Sequence, residues 1–236
     1  MRIATIARVS TGTAGWLGFL FFAGLIVRNS LGYFGPLNAM EFVEAKVSAS
    51  ELPLWRLMLV VHVAAGMVCF AASVLQFFRG LTRRWPALHR SLGSVYAWSV
   101  LWLLCPTGAY LALYADGGFL GQSGFLVLGA LTFWMTWRGV FEMQRGRTRA
   151  HARWMIRSFA MVTAAITFRI YHLAFGYTTL SPEANYLAAL WLSVAGNALV
   201  GEGLARLVPL TVPRPKTNTH HETKIHAPLL SRAGSP

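Results

Sequence analysis

The chain has 236 residues, of which 55% are hydrophobic and only 12% are charged, and its mean hydropathy is +0.49. Soluble domains carry about 25% charged residues, so this composition excludes a protein built mainly of soluble domains. It indicates an integral membrane protein. The formal net charge of +13 suggests either nucleic-acid binding or membrane topology, and the positions of the arginines decide between the two.

Six apolar runs follow one another along the chain, and each is long enough to cross a bilayer as a helix. We therefore predict an all-α, polytopic bundle of six transmembrane helices within residues 1–207, followed by a disordered cytoplasmic tail at 208–236. The first run follows a basic start, as a signal peptide does, but its length favours an uncleaved helix. The runs cover about residues 12–34, 55–78, 91–114, 120–141, 154–177 and 183–207.

Arginines cluster in alternate loops of this predicted topology. Four lie between residues 79 and 90, and five lie between residues 145 and 157, while the intervening loops carry mainly acidic residues. The positive-inside rule then predicts that both termini are cytoplasmic, and we expect the bacterial cytoplasmic (inner) membrane as the location. The positive charge is explained by topology and by anionic lipid headgroups as partners, without nucleic acid.

Four histidines fall at two membrane depths in this topology. His62 and His172 lie in the outer third, whereas His89 and His151 lie at the cytoplasmic boundary. Two imidazoles at one depth on separate helices match the axial ligands of a six-coordinate haem b, and two such layers would form a transmembrane electron path. The alternative is that the inner pair caps helices or meets lipid phosphate, and that the outer pair is hydrogen-bonded inside the bundle.

Arg169 is the most informative ionisable residue, because it lies within an apolar run. An arginine cannot neutralise itself, so it needs a carboxylate, carbonyl groups or a bound anion such as a haem propionate. Glu183 is the nearest acidic residue by predicted depth. Lipid cannot satisfy polar side chains, so we expect the inner face of the bundle to collect His62, Gln76, Tyr96, Ser158 and Arg169.

Six short motifs lie in the middle of the chain: HVAAG at 62–66, LQF at 75–77, PALHRSLGSVY at 86–96, GF at 124–125, HARWMIRSFA at 151–160 and AAITFRIY at 164–171. Together they resemble a family of predicted bacterial membrane proteins, domain-of-unknown-function family 2306, with a family-like core at about 55–177. The resemblance implies a membrane fold but no activity. His172 is outside the pattern, which favours the inner histidine pair. The residues it implicates are His62, His89, Arg90, Gly93, Tyr96, His151, Trp154, Met155, Arg157, Ser158 and Arg169.

Three functions stay open at this point, and whether the protein is an enzyme stays open with them. The first is a haem b-binding electron carrier that passes electrons between quinone and a partner. The second is non-redox binding or transport, in which Arg169 and an inner rim with Arg90 and Arg157 hold an anion or a lipid headgroup. The third is an accessory subunit of a membrane complex. Cys69 and Cys105 fall in apolar runs and are interpreted as packing residues, and no metal site is predicted.

Overall fold

The computed structural model describes residues 53–76 and 84–208, together with 30–35 and scattered positions from 21 to 28. These residues form helices and contain no strand. Among them are five helical segments long and apolar enough to cross a membrane, at 53–76, 86–112, 118–144, 148–175 and 182–206. They correspond to the second to sixth predicted runs. Most of the first run and residues 209–236 lie outside the described residues, so six spans and cytoplasmic termini stay predictions.

The helices are labelled here in chain order. The first segment is α1, Pro53–Gln76, and the second comprises α2, Pro86–Trp98, a π-helical turn at Ser99–Leu104 and α3, Cys105–Ala112. The third is α4, Gly118–Gln144. The fourth is divided into α5, Thr148–Val162, and α6, Ala164–Phe175, and the fifth is α7, Pro182–Arg206.

The π-helical turn Ser99–Leu104 ends two residues before Pro106. Proline has no N–H to donate, and its ring crowds the carbonyl one turn earlier, so the regular α-helical hydrogen-bond ladder cannot continue through this position. The sequence predicts a kink at Pro106, and the structure has a widened π turn there. Such turns often accompany functional sites, and this one carries the carbonyl that holds His62.

A second irregularity interrupts the segment that the sequence predicts as one helix over 154–177. The break falls at Thr163, between α5 and α6. Asn197 of α7 supports it, because its Nδ2 donates to the Ala160 carbonyl at 2.8 Å and Thr163 Oγ1 donates to the same carbonyl at 2.7 Å. Asn197 thus provides a hydrogen-bond donor for the Ala160 carbonyl at the break. Such a donor is needed because a backbone carbonyl away from water must be hydrogen-bonded within the protein.

The five segments pack in two groups. Helix α1 packs against α2, the π turn and α3, while α5 packs against α4 and α7, and α6 also packs against α7. Small residues allow the close approach of α5 and α7: a Cβ added at Gly201 would lie 2.9 Å from the Ala160 Cβ. Helix α4 joins the groups through α3, and the space between them contains the cavity described next.

Candidate functional site

A cavity of about 670 Å³ extends into the bundle between α1 and α3 on one side and α4, α6 and α7 on the other. It begins near the turn at 114–116 and the start of α7, the end that the arginine pattern predicts to be outside, and reaches inward to Phe70 and Thr132. Most lining side chains are apolar. The polar and ionisable lining residues are Ser30, Tyr33, His62, Tyr114, Asp116, Thr132, Arg169, His172, Tyr186 and Ser193.

His62 enters this cavity from α1 with one ring nitrogen held in place. Its Nδ1 lies 3.0 Å from the Leu104 carbonyl oxygen and 3.1 Å from Thr107 Oγ1. Gly108 provides the room, because an added Cβ would lie 2.9 Å from the His62 Cε1 atom. The π turn and the start of α3 therefore fix the orientation of the imidazole. Sequence analysis identifies His62 as a candidate site residue but gives no signal for the role of Gly108.

Arg169 lines the same cavity from α6. Its Nη1 donates to the Ala165 carbonyl at 2.8 Å, and no carboxylate of the described residues lies within ion-pair distance of its guanidinium. The expected partner Glu183 is not paired with it. Glu183 lies in the first turn of α7, where the helix dipole favours a negative charge, and lines a smaller neighbouring pocket of about 370 Å³. The sequence-based choice of Glu183 as the partner of Arg169 used predicted membrane depth alone, and the structure does not show this ion pair.

His172 follows Arg169 by one helical turn and lines both cavities. Its ring stacks on Phe168, with 5.8 Å between ring centroids and an interplanar angle of 9°, and meets Tyr186 edge to face at 6.2 Å. The structure thus brings the predicted outer pair, His62 and His172, to the lining of one cavity. It does so on α1 and α6, which belong to the two different packing groups.

The inner histidines, His89 and His151, are not part of this cavity lining. His151 Nδ1 lies 2.8 Å from the Gly139 carbonyl oxygen of α4. The backbone carbonyl of His89 accepts a hydrogen bond from Gln76 Nε2 at 2.8 Å. The two histidines thus lie near the starts of α2 and α5. Their role as haem ligands stays a prediction.

Tyr96 of the motif PALHRSLGSVY and Ser158 of the motif HARWMIRSFA meet in a buried chain of hydroxyl groups. Ser158 Oγ lies 2.6 Å from Tyr96 Oη and 2.6 Å from Thr136 Oγ1, and all three residues are at most 2% exposed. Thr136 Oγ1 donates to the Thr132 carbonyl at 2.7 Å. Its only hydrogen is thereby used, so Ser158 donates to Thr136 and Tyr96 donates to Ser158. The chain joins α2, α4 and α5.

The predicted anion-binding residues of the inner rim have different surroundings. Arg157 Nε donates to Glu202 Oε2 of α7 at 2.8 Å, and its guanidinium lies 4.7 Å from the Trp154 ring centroid. Glu202 also pairs with Arg206 at 2.7 Å. Arg157 is therefore part of an ion-pair network between α5 and α7, which the sequence did not predict. Arg90 is exposed at the start of α2.

No group of three or more His, Cys, Asp or Glu side chains within residues 53–76 and 84–208 could hold a metal ion. A haem iron needs only two axial ligands from the protein, so this finding does not bear on haem. Cys69 is buried and Cys105 is half-buried, and both are free thiols. They pack with Tyr96 and Val100 in one apolar cluster.

Helices of this length and hydropathy, together with their polar interior, define a polytopic helical membrane protein. The family model described as "predicted membrane protein (DUF2306)" matches residues 59–205. This match covers more than half of the chain, and the protein belongs to that family. Neither a curated protein nor a solved structure matches the chain.

Proposed function

We propose that this protein binds, inside the membrane, an amphipathic ligand with an anionic head group. The observation that carries the proposal is the apolar cavity of about 670 Å³ with Arg169 in its lining. Sites for small ligands have volumes of about 300–1,000 Å³, are mainly apolar and contain a few polar groups that fix orientation. The cavity has these three properties.

The charge of Arg169 supports an anionic head group. Its contact with the Ala165 carbonyl uses one of five N–H donors, and no described carboxylate is close enough to form an ion pair with it. A cation in an apolar environment is stabilised by a bound anion, and guanidinium pairs with carboxylate and phosphate in two parallel hydrogen bonds. The shared chemistry is therefore a fatty-acid carboxylate or a lipid phosphate, with the hydrocarbon chain along the apolar lining.

Ligand-dependent stabilisation of the purified protein in a neutral detergent tests this proposal. Myristate and tetradecyl phosphate should raise the unfolding temperature, whereas tetradecanol, which has a neutral head, should have little effect. If only one of the two anions stabilises the protein, that result identifies the head group. Arg169→Gln should abolish the effect, and Arg145→Gln, which changes an exposed arginine at the end of α4, should retain it. Equal stabilisation of the wild type by tetradecanol would contradict the proposal.

Haem b is the second candidate ligand, and a separate observation favours it. His62 and His172 line one cavity from two different helices, and Arg169 is available to a haem propionate. A Soret band in the purified protein, shifted by dithionite and lost in His62→Leu, would support an electron carrier. A colourless protein that gives no such band after haemin addition would exclude it. Histidine variants at 89 and 151 test the inner pair by the same spectrum.

A further inference from the structure

The hydrogen bonds around His62 determine which of its ring nitrogens carries a hydrogen. A carbonyl oxygen only accepts, so the contact of 3.0 Å with Leu104 requires an N–H at Nδ1. Thr107 Oγ1 donates its own hydrogen to the Leu103 carbonyl at 2.5 Å, and it therefore also accepts at its contact with Nδ1. In the neutral imidazole the lone pair then lies on Nε2.

The Nε2 atom is therefore a hydrogen-bond acceptor. His62 lines the cavity, and no hydrogen bond within the described part of the chain involves its Nε2 atom. Gly108 leaves space for the ring, and the two contacts at Nδ1 fix its orientation. An acceptor of this kind, fixed in a mainly apolar cavity, favours ligands that carry a hydrogen-bond donor.

We infer that the ligand carries a hydroxyl group near its anionic head, and that His62 Nε2 accepts the hydrogen of this hydroxyl while Arg169 binds the anion. His62 of α1 and Arg169 of α6 line the same cavity, so both groups face one bound ligand. The inference rests on the proposed function and narrows it to hydroxylated amphipathic acids. His62 is then a specificity-determining residue.

Binding of four matched probes to the purified full-length protein tests the inference: myristate, 2-hydroxymyristate, 3-hydroxymyristate and 2-methoxymyristate. The methoxy group retains the oxygen but cannot donate a hydrogen bond. At least one hydroxy acid should bind about tenfold more tightly than myristate, which is the factor given by a hydrogen bond of ~1.4 kcal/mol. The methoxy acid should show no such gain.

Two variants distinguish the hydrogen bond at His62 Nε2 from general changes in the shape or stability of the cavity. His62→Phe retains an aromatic ring but has no ring nitrogen, so it should bind all four acids with nearly equal affinity. Thr107→Val removes one acceptor and leaves the Leu104 carbonyl in place, so it should retain the preference for the hydroxy acid. If His62→Phe is poorly folded, the affinities of the wild type for the hydroxy and methoxy acids still show whether donation of the hydroxyl hydrogen strengthens binding, and equal affinities would overturn the inference.

The outcomes distinguish the inference from the proposed function. Equal wild-type affinities for the four acids would overturn the role of His62 and leave the binding of anionic amphipaths intact. Absence of binding of every acid, with no effect of Arg169→Gln, would contradict the proposed function itself. A Soret band that disappears in His62→Phe would also overturn the inference, because Nε2 would then be bound to iron.

Discussion

In the hydroxyl chain of Tyr96, Ser158 and Thr136 each hydroxyl donates to the next. Because of this direction, removing different members should lower the free energy of unfolding by different amounts. Tyr96→Phe removes a donor, and Ser158 still donates to Thr136, so no donor is left unpaired. The expected loss in the free energy of unfolding is ~0.6 kcal/mol, the average for a hydrogen bond in a membrane protein. Ser158→Ala removes two hydrogen bonds and leaves the buried Tyr96 hydroxyl without its acceptor. Its expected loss is therefore ~2–4 kcal/mol.

The double variant provides the sharpest test. Tyr96→Phe combined with Ser158→Ala removes the unpaired donor, so it should be more stable than Ser158→Ala alone, with a total loss of ~1.2 kcal/mol. Equilibrium unfolding in mixed micelles with increasing dodecyl sulfate, followed by circular dichroism, measures all three differences. Additive losses, or a larger loss for Tyr96→Phe than for Ser158→Ala, would refute the assigned direction of the hydrogen bonds.

Two further predictions concern packing and topology. Gly201→Ala should lower the unfolding free energy by ~1–3 kcal/mol, because its Cβ would lie 2.9 Å from Ala160 Cβ and 3.3 Å from Arg157 Cα. Gly203→Ala is the control, because its Cβ would meet nothing within 4 Å, and it should leave the unfolding free energy unchanged or raise it. Equal losses for the two variants in the dodecyl sulfate unfolding assay would be evidence against the packing of α5 on α7. The arginine pattern predicts that reporter fusions after residues 45 and 85 report opposite sides of the membrane. The same side for both would contradict the predicted topology.

Much of the fold could be predicted from sequence because lipid imposes strong constraints on a chain. Hydropathy identified the five segments that the structure describes, and the need to satisfy polar side chains placed Tyr96 and Ser158 inside the bundle. Both residues are indeed buried and contact each other. The same reasoning identified His62 and Arg169, which line the cavity.

The features that the sequence did not predict depend on pairs of distant residues. The break at Thr163 is supported by Asn197, and the partner of Arg157 is Glu202, which lies 45 positions away. Local periodicity contains no information about such pairs. The choice of Glu183 as the partner of Arg169 used membrane depth alone, whereas the direction of a side chain around its helix also decides which groups can meet. The cavity itself results from how two helix groups pack.

Competitive photolabelling tests the central claim, ligand binding in this cavity, most directly. A myristate analogue with a diazirine near the end of its chain would be irradiated with the protein in neutral detergent, with and without excess myristate. Labelling that excess myristate suppresses should map to cavity-lining residues such as Met67, Phe70 and Leu128, and it should be lost in Arg169→Gln. Suppressible labelling confined to exposed residues outside the lining, such as Trp102 and Leu199, or unchanged labelling in the variant, would contradict the account.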